Sequence, residues 1–171
     1  RLQFPKDLMP IDQMWGFQLS MGQLASGMGA QPFKNLEDYR NWLVRIDGYL
    51  EWLKSAKINM TEGIKIGWVL PKSLIKKVLP QLKVMTNQDI ENHLFYKPVL
   101  NFPETIKEDD RKILINDYYH MIKNKIIPAY NDLYNFMSNE YFESGRETSG
   151  YNSLKGGKDY YDYAIKYYTT T

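Results

Sequence analysis

Two histidines, one arginine in a loop between glycines and a closing cluster of tyrosines are the residues of this chain best suited to chemistry. A zinc-peptidase helix needs two histidines about one turn apart, with a glutamate beside the first. His93 and His120 are far from that spacing and read as ordinary surface or interface histidines. Ser26 lies in LASGMG, which lacks the first glycine of a nucleophile elbow. No phosphate-binding or dinucleotide glycine pattern occurs, so ASGMGAQP reads as a helix C-terminus. Glu104, Glu108, Asp109 and Asp110 crowd one loop and helix start, where acids suit the helix dipole; a metal cluster is the sharper alternative. The lysines at 54, 57, 65, 72, 76, 77 and 83 form the one charge run. They read as a solvated helix face, with a phosphate stripe as the alternative.

Arg146 and the last segment carry the binding hypothesis. An arginine beside aromatic rings either clamps a carboxylate or ties its loop to a neighbouring helix end. KGGKDYYDYAIKYYTTT places Tyr160, Tyr161, Tyr163, Tyr167 and Tyr168 within nine residues. At about 100° per residue, the tyrosines with Ala164 and Ile165 cover an arc of roughly 200°. A surface helix packed on one core needs a stripe nearer 100°. The excess predicts a second partner, and it leaves part of the aromatic face uncovered in this chain alone. Arg146, Tyr160 and Tyr161 are the candidate substrate-cleft residues. No catalytic residue and no metal ligand is assigned.

These residues need a scaffold, and the totals permit one. The 171 residues, 43% hydrophobic and 25% charged, suit a single globular domain or part of a larger one. A net charge of +2 argues against nucleic acid as a partner. No run approaches a membrane span. The absence of cysteine excludes disulfides and thiolate chemistry.

The apolar spacing predicts an all-α fold, an irregular array of long helices kinked at proline. Leu36, Tyr39, Leu43, Ile46, Leu50 and Leu53 mark the clearest helix, with Asn35 as its cap and Trp42, Tyr49 and Trp52 on the flank. A helix is expected over 11–28. Gly63 and Gly67 would leave a bare strip for another backbone. Pro71 opens a further helix, to be kinked or broken at Pro80. A short helix is expected over 87–95, and an extended loop at KPVLNFPET. Residues 108–141 read as one helix bent near Pro128, or two meeting at Ile127, ending near Gly145.

The stretches LMPIDQMWGFQLSMGQL, NLEDYRNWLVRIDGYLEWLK, EGIKIGWVLPKSLI, IIPAYNDLYNFMSNEYFESGRETSG and LKGGKDYYDYAIKYYTTT, in that order, resemble the bacterial domain-of-unknown-function family DUF885 across essentially the whole chain. That family is helix-rich and similar to zinc-dependent carboxypeptidases, and many members resemble secreted or lipid-anchored envelope proteins. Its metal motif resembles His-Glu-x-x-Pro-Gly-His, downstream of the Y-x-T-T-T region, and is absent here. The resemblance implies an interior, non-catalytic scaffold and cleft-wall piece of a larger, mainly helical peptidase-like protein. It implies zinc for the complete protein but no cofactor in this chain. The implied partners are a downstream catalytic half of the same protein and a peptide substrate, and the implied compartment is the bacterial envelope or periplasm. The alternative is a self-standing helical module that grips peptide or glycan with its aromatic surface.

Overall fold

A computed structural model describes residues 4–169. It is all-α, as expected. Among the described residues the one β-like contact is a single parallel bridge between Pro71 and Arg146.

The spine is a helix, α2, over Leu36–Ile66. Its start is a capping box: the Asn35 side chain accepts from the Asp38 N–H at 3.0 Å, and the Asp38 carboxylate accepts from the Asn35 N–H. Glu37 and Asp38 add negative charge to the positive end. The helix runs three residues past MTEG before Gly67 ends it in the left-handed conformation, φ 76°. Its buried stripe is Tyr39, Trp42, Ile46, Tyr49, Leu53 and on to Met60. The expected stripe was centred one side over: Leu36, Leu43 and Leu50 are only half-buried. The rings win the centre because each removes more surface from water than a leucine. Gly63 is a point of close approach, since a Cβ there would stand 2.5 Å from the Trp68 carbonyl and 3.1 Å from that of Leu8. Gly67 serves as the stop and not as part of a bare strip.

The helix expected over 11–28 is shorter. It occupies Phe17–Ala25 and is called α1. The Asp12 carboxylate accepts from the N–H groups of Met14 and Trp15, and that local turn competes with helix. Next, α3 (Lys72–Val84) begins after Pro71 and continues through Pro80, where a kink or break was expected. Residues 87–92 form turns held by Asn87 and Asp89 in place of the expected short helix. A 3-10 helix over Leu94–Val99 then takes up the first part of the expected extended loop.

The chain stays helical from 108 to 141. α4 (Glu108–Met121) leads into a π turn (Ile122–Ile126), then α5 (Ile127–Phe136) and a second π turn (Met137–Tyr141). Pro128 has no N–H and crowds the carbonyl four residues back. The widened turn just before it accommodates both problems, so the rod is not broken. α2, α3 and this rod enclose the main core, with α1 against the 3-10 helix. Its buried tyrosines satisfy their hydroxyls. Tyr49 and Tyr130 pair at 2.7 Å, Tyr39 donates to the Pro98 carbonyl, and Tyr118 to that of Tyr39.

A smaller second cluster holds the last helix, α6 (Gly157–Tyr168). It consists of Leu8, Trp68, Leu154 and Tyr160, with Phe4 and Met9 at its edge. No helix among the described residues is long and apolar enough to cross a membrane.

Candidate functional site

α6 begins where the chain turns at Gly156, and Gly157 packs directly against the backbone of Tyr151. A single ring then anchors the helix. Tyr160 is buried, edge-on to Phe4 at 5.3 Å, to Trp68 at 6.0 Å and to Tyr151 at 4.8 Å. The rest of the aromatic arc faces out: Tyr161 is 50% exposed, Tyr163 43%, Tyr167 67% and Tyr168 72%. Part of the face is therefore uncovered, as the wide arc implied. Tyr163 and Tyr167 stack at 5.9 Å, and with Phe4 and Lys6 they border a recess of about 220 Å³. The surface this makes is ring faces and phenol hydroxyls with one ammonium. It suits stacking and hydrogen bonding to a polar, partly apolar partner.

Arg146 sits in front of this helix as a tie. Its Nε donates to the Val69 carbonyl at 2.8 Å, and its Nη1 donates to the Gly150 carbonyl and to Ser153 Oγ at 2.6 and 2.7 Å. Its backbone N–H donates to the Leu70 carbonyl, and its own carbonyl accepts from the Lys72 N–H. Burial lowers its pKa from the ordinary guanidinium value. Arg146 thus locks the 69–72 segment to the turn that carries α6. Of the three candidate residues, Arg146 holds the support, Tyr160 fixes the helix and Tyr161 presents a free ring.

The remaining sequence candidates separate. His93 is buried and is not a surface residue: Nδ1 accepts from the Phe95 N–H and Nε2 bonds the Met85 carbonyl, which makes it the cap of the 3-10 helix. Burial lowers its pKa. His120 is exposed beside Tyr119. Glu108, Asp109 and Asp110 lie in the first turn of α4, where Asp110 reaches Arg40 at 4.0 Å. Among the described residues no three acidic or histidine side chains converge as a metal requires. The residues present do not fit a zinc site. The lysine run disperses: Lys54 pairs with Glu51, Lys57 with Asp132, Lys65 with Glu62 and Lys72 with Glu147. Lys76 and Lys83 lie over the rings of Phe142 and Tyr134.

Sequence reasoning did not anticipate the grooves along α2. The larger, about 760 Å³, separates α2 from α5 and is crossed by Lys57–Asp132 and Lys125–Asp47, both under 3 Å. Its signal was present on α2 as Asp47, Glu51, Lys54 and Lys57 at steps of four and three, but the pairing depends on which helices are neighbours.

A search among curated proteins gives no match. Among solved structures, a protein described as a "putative lipoprotein" from Colwellia psychrerythraea superposes with a TM-score of 0.83 at 19% identity. The likeness covers 92% of this chain and 27% of that one, so the chain spans about a quarter of the neighbour's length. At that identity the shared property is the fold. The family model described as "Bacterial protein of unknown function (DUF885)" matches residues 1–171, and the chain belongs to that family.

Proposed function

We propose that the chain is the helical scaffold and cleft-wall portion of a longer, zinc-metallopeptidase-like protein of the bacterial envelope, with α6 facing a peptide substrate. One observation carries the reading: α6 is anchored by Tyr160 while four tyrosines of its face stay uncovered. A helix that served only this fold would turn those rings inward. The more than threefold greater length of the structural neighbour, and its description as a lipoprotein, support a larger envelope protein. The peptidase component rests on family resemblance. Any zinc would draw its ligands from outside the described residues, so the role of these residues is to bind and orient.

The test is peptide hydrolysis by the full-length, zinc-supplemented protein and its Tyr161→Ala variant. Loss of one substrate-facing ring is expected to raise KM roughly three- to tenfold with kcat and Tm unchanged. An unchanged KM removes α6 from the cleft. Absence of any peptide hydrolysis in the zinc-loaded wild type overturns the peptidase reading itself.

A further inference from the structure

The outer face of α2 is built unlike a solvated helix surface. On one side Phe17, Met21, Leu24 and Trp52 border a mainly apolar groove of about 650 Å³ against α1. On the other side lies the groove of about 760 Å³ against α5, floored by Leu50, Leu53, Ala129 and Leu133. Gly48 borders both grooves. On the ridge between them Val44 is 71% exposed, and Ile58, further along α2, is 63% exposed.

Gly48 has no use within the fold as described. Glycine inside a helix weakens it relative to alanine. At Gly63, in the same helix, a Cβ would collide with the Trp68 carbonyl, so glycine is required. At Gly48 a Cβ would meet nothing within 4 Å. A bare position at the crest of a ridge, with a groove on each side, is what a second helix needs in order to cross closely.

Charge narrows the occupant. The rim of the larger groove is self-compensated through Lys57–Asp132, Lys125–Asp47 and Lys54–Glu51. In the other groove Arg45 is bonded to the side-chain oxygen of Gln31 at 2.6 Å. The larger groove offers no net field to a charged ligand, the smaller holds a single cation, and the exposed apolar side chains along both suit the core of an interface. In the structural neighbour the same fold is about a quarter of one continuous chain. A helix covalently attached to this fold is present at high effective concentration, an advantage that a separate protein lacks.

We propose that a helix from the remainder of the same, longer polypeptide packs across α2 at Gly48, with its apolar side chains seated in the two flanking grooves. This rests on the reading of the chain as part of a longer protein, but not on α6 or on peptide hydrolysis.

Two measurements on the full-length protein test it. This segment has no cysteine, so Val44→Cys adds a single thiol to it, followed by peptide mapping after thiol labelling. Labelling is expected to be at least about tenfold slower in the native protein than in the same protein in urea, independent of protein concentration. A native rate within about twofold of the unfolded rate overturns the proposal, and so does a rate that rises on dilution, which would mean a second copy occupies the site. The second measurement is a sign test. An unpartnered mid-helix glycine gains stability on replacement by alanine, whereas a glycine under a crossing helix loses it. Gly48→Ala is expected to lower the Tm of the full-length protein, and an unchanged or raised Tm overturns the proposal. A raised KM for Tyr161→Ala alongside a failed Gly48 test would leave the cleft-wall reading standing and remove only the docked helix.

Discussion

The hydroxyl pair of Tyr49 and Tyr130 joins α2 to α5 at the centre of the core. Tyr130→Phe removes one hydroxyl and leaves its partner buried without a bond. That asymmetry costs about 1–3 kcal/mol, more than the bond's net worth. Urea unfolding should register the loss, and a change below about 0.5 kcal/mol would mean that Tyr49 finds another partner. At this scale the sequence was legible in kind but not in direction. It marked Arg146, Tyr160 and Tyr161 as a group. It could not show that Tyr160 turns in and Tyr161 out, because that depends on where Trp68 and Phe4 come to lie. Nor could it decide between clamp and tie for Arg146, whose main partners are backbone carbonyls, which every residue has.

Among the elements, α2 was read most completely at its start, where chemistry is local. Asn35→Ala deletes the acceptor of the capping box and is expected to cost about 1 kcal/mol, measured as a shift in urea midpoint at constant slope. A change near zero would show the first turn to be held by packing alone. The second half of α2 was missed because Gly63 resembles punctuation, whereas its role is a close approach to Leu8 and Trp68. The π turns had a signal that went unread. Tyr118, Ile122, Ile126 and Tyr130 are all buried at steps of four, as are Leu133, Met137 and Tyr141. An α-helix repeats every 3.6 residues, so successive steps of four drift off one face unless a turn widens.

For the molecule as a whole, burial sets the pH range of stability. Burial raises the pKa of Tyr49, Tyr118 and Tyr130 above the tyrosine range and pushes Tyr141 up to about 12. The folded state favours the neutral phenol, so this contribution is complete below the ordinary value of about 10 and is lost as pH rises through it towards 12 and beyond. Burial lowers the pKa of His93, so the neutral ring is favoured. Its contribution is present above about pH 6.5 and is lost as pH falls below that. Tm is expected to plateau between about pH 7 and 10 and to decline on both sides. A Tm that stays level to about pH 12 would show that these phenols ionise without unfolding.

The small cluster beneath α6 has a consequence for how the molecule opens. Leu8, Trp68, Leu154 and Tyr160 come from three separated stretches of chain and form the buried apolar seat of α6. Stability is distributed in cooperative units, and those with few buried contacts open first. The N-terminal segment and α6 share one such unit, clipped to the far end of α2 at Trp68. They are therefore expected to open together before the main core does, which would be read as faster hydrogen exchange of the α6 amides than of those in α2.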